Sequence, residues 1–251
     1  MKRIFKPDLA PLAVLFGGVA GFLLRLWTLG SGPDEQGLYE PMILPWCLLV
    51  MVSLAVAAVI LLSISRLKDA GKYADHFPAS KFGAATHILA AIGVLLSSFR
   101  AAEGTSAGLW MITVALGIGS TICLSLGAMA RLNGNRPPFW LHAVPCLFLA
   151  LRSFLYCRAW GNVTQTGVFL FPFLASIFII FAMYQLTCYD VDLGHRLRNL
   201  FWSLYGCYLC IVSLAFCDDV VFYLSMGLFL LTNHCRLQPI HRPKSSPDEQ
   251  A

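Results

Sequence analysis

The chain has 251 residues, of which 58% are hydrophobic and only 12% charged, and its mean hydropathy is +0.71. A soluble domain carries about 25% charged residues, so a chain with half that supply must hide most of its surface from water, which excludes a large soluble core and a separate soluble domain. The net charge of +5 sits mostly in short loops and points to orientation in a bilayer, not to a nucleic-acid partner.

A hydrocarbon core of about 30 Å takes about 20 apolar residues in a helix. The first run that meets this rule covers 9–29, after a basic start, Met-Lys-Arg-Ile-Phe-Lys. It is long for a signal peptide and no Ala-x-Ala-like cleavage site follows, so it is expected to be a retained span. Further spans are predicted at 42–65, 82–99, 109–130, 139–157 and 168–188. The apolar region from Leu200 to His234 is too long for one span, since as a single helix it would reach about 50 Å. Cys217-Asp218-Asp219 near its centre would also put two carboxylates in hydrocarbon. It is therefore divided into 200–216 and 220–234, the latter short, with a re-entrant hairpin as the alternative. Residues 235–251 read as a flexible cytoplasmic tail. The expected fold is all-α: one transmembrane domain, a polytopic bundle of about eight helices with both termini in the cytoplasm.

Basic residues test this division, because Lys and Arg accumulate in cytoplasmic loops. With the N-terminus inside, the cytoplasmic segments hold fourteen of the 18 Lys and Arg, among them Lys2, Arg66, Lys72, Arg131, Arg136, Arg196 and Arg242. The outer loops hold Arg100 and Arg158, and Arg25 and Arg152 lie inside spans. A wrong helix count would scramble the alternation from the error onward.

Two spans carry small-residue stripes suited to close helix packing in lipid. These are Gly17-x-x-x-Gly21 in the first, and Ala115, Gly119, Cys123 and Gly127 in the fourth. They are expected to make helix–helix contacts within the bundle, with dimerisation as the alternative. A weak internal echo links Leu24-Arg25-Leu26-Trp27 with Leu151-Arg152-Ser153-Phe154, each followed by a polar loop and a Gly-to-Pro stretch. It allows a four-plus-four parallel repeat of the kind found in some transporters.

Arg25 and Arg152 are the most informative residues. Each lies about 6–8 Å inside the outer end of its span, where insertion costs less than the roughly 2.5–3.5 kcal/mol of the bilayer centre. Three readings apply: snorkelling to the headgroups, an ion pair with Asp34, Glu35, Glu103, Asp218 or Asp219, or a polar pocket shared with Arg100 that holds an anionic group. The acids Asp34-Glu35 and Asp218-Asp219 lack EF-hand spacing and read as solvated turns.

The six histidines, His76, His87, His142, His195, His234 and His241, all fall in the cytoplasmic half, with Asp190 and Asp192 nearby. No pair has the i, i+4 spacing of a helical zinc site, so no metal or other cofactor is predicted. The nine cysteines lie mostly in apolar runs, where Cys packs as a small hydrophobe. Cys207-x-x-Cys210 is read as packing, and a Cys157–Cys217 disulfide is geometrically open. Walker, G-x-G-x-x-G and G-x-S-x-G motifs are absent, and no catalytic residue is assigned. The six tryptophans lie near predicted helix ends, as an interfacial belt requires. Asn162-Val163-Thr164 is a glycosylation sequon.

The run Arg152-Ser-Phe-Leu-Tyr-Cys-Arg158-Ala-Trp160, with Phe171-Pro-Phe-Leu-Ala and Tyr184-Gln185…Tyr189-Asp190, resembles a set of hypothetical bacterial multi-pass membrane proteins. The resemblance covers residues 135–215, with an echo from Leu24 to Leu38. It implies a bacterial inner-membrane location and brings no activity. The expected function is binding or transport of a small solute through an outward-facing polar pocket. The alternative is a non-transporting accessory, sensor or scaffold, as a homo-oligomer or with a membrane or cytoplasmic partner. An intramembrane enzyme acting on lipid, the third class, would need a nucleophile or metal constellation that the sequence does not display.

Overall fold

A computed structural model describes residues 9–30, 43–65, 67, 72–100, 102, 104–160 and 166–234. The described chain is all-α and contains no strand. Its helices are α1 (Leu9–Leu29), α2 (Ile43–Ile64), α3 (Tyr73–His76), α4 (Lys81–Ser98), α5 (Ala107–Asn133), α6 (Trp140–Trp160), α7 (Thr166–Asp190), α8 (Arg196–Ser213) and α9 (Val220–Thr232). Six of them, α1, α2, α4, α5, α6 and α7, are long and apolar enough to cross a membrane. Large apolar side chains such as Phe16, Ile43 and Phe82 stand on the outside of the bundle, 74%, 80% and 68% exposed. A surface so apolar is stable against lipid and not against water, so the chain is a multi-pass integral membrane protein.

Local chemistry sets several helix ends. The Ser80 hydroxyl accepts the Gly83 N–H at 3.0 Å and caps the start of α4. Gly134 adopts a left-handed conformation with φ of 69° and closes α5, its neighbour Asn135 donating back to the Ala130 carbonyl. The described part of the polar loop before α4 contains the single turn α3, which the apolar-run rule does not predict because its residues are polar. Its Tyr73 N–H is held by Asp192 Oδ1 at 3.0 Å.

The arrangement follows from which helices touch. Helices α4 to α9 each pack on the next, and α9 returns to pack on α4, closing a ring of six. Consecutive members run in opposite directions, as short loops require. Outside the ring, α1 packs on α8 and α2 packs on both. Gly17 lets α1 approach α2, where an added Cβ would fall 2.3 Å from Val56, and Gly21 lets it approach α8, where a Cβ would fall 2.7 Å from Val212. Helix α8 is the hub, touching α1, α2, α7 and α9.

That position explains how α8 tolerates its composition. Arg196, Asn199 and Ser203 in its first turns are buried against protein, and these same residues make it too polar to qualify as a lipid-facing span. It starts at Arg196, four residues before the expected 200, because burial and not hydropathy decides where it begins. The break before α9 falls at the expected acids, with α8 ending at Ser213 and α9 starting at Val220. Helix α9 has 13 residues, or about 20 Å, less than a bilayer core. Its ends are tied to protein, Asp219 to α6 and Thr232 to Thr86 of α4.

On α5 the buried face runs through Thr113, Gly117, Ser120, Cys123, Leu124 and Gly127. A step of four residues turns about 40° past a full circle, so the stripe Ala115, Gly119, Cys123 and Gly127 winds across the helix: Ala115 is exposed, Gly119 half-buried, and Cys123 and Gly127 buried. Gly117 makes the close approach to α4, where an added Cβ would fall 2.2 Å from Ser98. The two halves also pack differently: α7, α8 and α9 are contiguous, whereas α2 makes no comparable contact with α4.

Candidate functional site

The ring has a polar cluster near each end. The first is centred on Arg152, which α6 carries 3% exposed on an inward face. Its Nε donates to Ser97 Oγ at 2.6 Å and its Nη2 to Asp219 Oδ2 at 3.0 Å. Its guanidinium lies over the rings of Phe222, Tyr156 and Tyr223, at 4.0, 4.5 and 5.8 Å from their centroids. Asp219 precedes α9 and is also 3% exposed. It does not cap its helix, because its carboxylate is committed to Arg152. Tyr223 donates to the Pro172 carbonyl at 3.1 Å, so the site's aromatic wall is itself fixed.

Two clefts border Arg152. One is lined by Ser97, Arg100, Trp110, Thr113 and Tyr156, the other by Tyr156, Phe216, Cys217, Asp218 and Asp219. Each has room for about one water molecule. Arg100 and Asp218 are exposed at their rims. Glu103, Asp34 and Glu35 lie outside the described residues.

Arg25 does something else. It is 2% exposed, and its Nη1 and Nη2 donate to the carbonyls of Val212 and Phe216 at 3.2 and 3.1 Å. Val212 lies in the last turn of α8 and Phe216 three residues beyond it, at the negative end of the helix dipole. The guanidinium also lies 5.4 Å from the Phe171 ring centroid. Arg25 lines neither cleft beside Arg152. The two arginines therefore face protein and not headgroups, and they sit in different settings. Cys217 lies nearby in the α8–α9 connection, where burial pushes its thiol up to about 11. Cys157 and Cys217 are separate free thiols, as are Cys207 and Cys210.

The second cluster, at the opposite end, joins residues that are far apart in sequence. His142 Nδ1 lies 2.6 Å from Asp190 Oδ2, and His87 Nδ1 lies 2.9 Å from the Gly83 carbonyl. The two imidazoles are 5.9 Å apart between centroids. Around them Arg136 pairs with Asp192, the Arg131 guanidinium lies over Phe77 at 4.9 Å, and Asn233 Nδ2 donates to Thr86 at 3.3 Å. His234 follows α9, and burial holds its imidazole below the ordinary range. His195 is exposed at the start of α8, and His241 lies outside the described residues. Sequence spacing missed this cluster because its members come from α4, α6 and α7. The signal available was that the histidines all fall toward one side of the predicted topology.

Trp27, Trp46, Trp110 and Trp140 stand near helix ends, whereas Trp202 lies two turns into α8 and stacks on Phe181 at 4.6 Å. The sequon at 162–164 lies outside the described residues. No family model, curated protein or solved structure matches the chain.

Proposed function

We propose that this protein is a bacterial inner-membrane protein of eight transmembrane helices that binds or transports a small anionic solute through an outward-facing polar pocket at Arg152. The observation that carries this reading is a buried guanidinium, flanked by two clefts, whose carboxylate partner among the described residues is the side chain of Asp219. A solute carboxylate or phosphate would take the place of that carboxylate. Because each cleft holds about one water, entry requires the pair to part.

The orientation rests on the basic residues. Lys72, Lys81, Arg131, Arg136, Arg196 and Arg198 lie toward the His142 end, and Arg100 and Arg158 toward the Arg152 end. By the positive-inside rule the Arg152 end faces outward. Helices α8 and α9 complete the eight as spans shielded by their neighbours, and both termini lie in the cytoplasm.

The test uses the full chain in nanodiscs, with thermal unfolding followed against small carboxylates and inorganic phosphate. Wild type is expected to be stabilised by at least one of these anions. Asp219→Asn is expected to show a larger shift relative to its own baseline, because it frees Arg152, and Arg152→Gln is expected to show none. If neither wild type nor Asp219→Asn responds, the solute reading fails.

The second reading is an accessory or scaffold protein. It is favoured by Arg25, which is committed to closing α8 and lines neither cleft. Such a protein copurifies with a partner, and Arg152→Gln leaves that association intact.

A further inference from the structure

The His142 end of the ring holds a pair of imidazoles whose Nε2 atoms both lie beside one glycine. His87 and His142 are 3% and 4% exposed. Each has its Nδ1 engaged by an acceptor: the Gly83 carbonyl at 2.9 Å for His87, and the Asp190 carboxylate at 2.6 Å for His142. An acceptor at Nδ1 fixes the proton there and leaves the Nε2 lone pair outward. Both Nε2 atoms face Gly127 of α5, each 3.8 Å from the point where a Cβ on that residue would sit. His142 Nε2 is fully buried and has no hydrogen-bond partner. A buried lone pair without a partner is costly, and that of His142 shares with His87 Nε2 the small space opened by Gly127.

From this geometry we infer a binding site for a monovalent soft metal ion, Cu(I) or its analogue Ag(I), held between His87 Nε2 and His142 Nε2. Two features select this class. Imidazole nitrogens suit copper. Among the described residues no group of three or more His, Cys, Asp or Glu converges, so the donors fit a two-coordinate ion and not tetrahedral zinc. Asp190 stands behind His142 as carboxylates stand behind ligating histidines in metal sites, orienting the ring and strengthening the ligand. A shallow groove at this end, lined by Arg136, Phe139, Trp140, Asp190 and Val191, reaches Asp190, the partner of His142. The site lies away from Arg152 and does not depend on the solute reading.

The experiment titrates Cu(I) in competition with a chromophoric chelator, and Ag(I) separately, into the full chain in nanodiscs, after alkylation of exposed thiols. One equivalent is expected to bind, and X-ray absorption of the copper adduct is expected to show two nitrogen donors and no sulfur. His142→Phe and His87→Phe should abolish binding, and Asp190→Asn should weaken it about 10- to 100-fold. Gly127→Ala keeps both histidines and favours helix, so it should fold at least as well as wild type while losing at least 100-fold in affinity. Absence of a stoichiometric ion, sulfur ligation, or full affinity in Gly127→Ala would each overturn the proposal. If the histidine variants do not fold, Gly127→Ala and the absorption spectrum decide it.

Discussion

Arg25 and Arg152 begin as the same kind of residue, an arginine about one turn inside a span, and end with different tasks. A guanidinium has five donors in a rigid fork. Arg25 spreads that fork across the carbonyls of Val212 and Phe216, so Arg25→Leu removes two hydrogen bonds from a charged donor, at about 1.5–3 kcal/mol each. We expect Arg25→Leu to lower the unfolding temperature and Arg25→Lys to recover only part of the loss, since an ammonium does not reproduce the fork. Arg152 is instead half of a buried ion pair. Removing either partner leaves an uncompensated charge, so Arg152→Leu or Asp219→Leu alone is expected to cost about 3–5 kcal/mol, and the double replacement much less. Thermal unfolding of the four proteins gives the coupling. Cys217 supplies a pH test outside the helices. With its thiol held up to about 11, roughly one molecule in a thousand is thiolate at pH 8. Its maleimide labelling should therefore be slow near neutrality and rise about tenfold per pH unit until the pH nears 11. Fast labelling at pH 7 would refute the burial.

Helices differ in what holds them in place. Helix α2 is apolar all round and needs little from its neighbours, whereas α8 carries Arg196, Asn199 and Ser203 and is stable only inside a protein sheath. Helix α5 shows the difference between a stripe in sequence and a face in space. Ala115 is exposed, while a Cβ on Gly117 would overlap Ser98. Ala115→Leu is therefore expected to change stability by less than about 0.5 kcal/mol. Gly117→Leu should destabilise by at least about 1–3 kcal/mol through overpacking. Equal effects in an unfolding assay would show that the α4–α5 contact is not where it is described.

At the scale of the molecule, closure of α4 to α9 into a ring creates the two polar clusters. Helices on opposite sides of the chain order meet only because α9 returns to α4, which brings Ser97, Arg152 and Asp219 together at one end. The charges at the two ends make a topological prediction. Cysteines placed at Lys72 and Arg198 should be modified from the same side of sealed vesicles, and one at Arg158 from the other. Labelling of Lys72 and Arg198 from opposite sides would overturn the orientation and, with it, the outward-facing pocket.

The spans at 9–29, 42–65, 82–99, 109–130, 139–157 and 168–188 were legible in the sequence, and each matches a helix to within three residues at either end. The break at Asp218-Asp219 was legible too. Both depend on local quantities, apolar length and the cost of charge in hydrocarbon, which a linear string records. The candidate pairing of Arg152 with Asp219 was one of several available to it, because chemistry names compatible partners and only packing chooses among them. The capping task of Arg25, the exposure of Ala115, and the meeting of His87 with His142 over Gly127 were not in the string at all. They depend on helix phase and on which helices touch, and those are settled when the whole bundle packs.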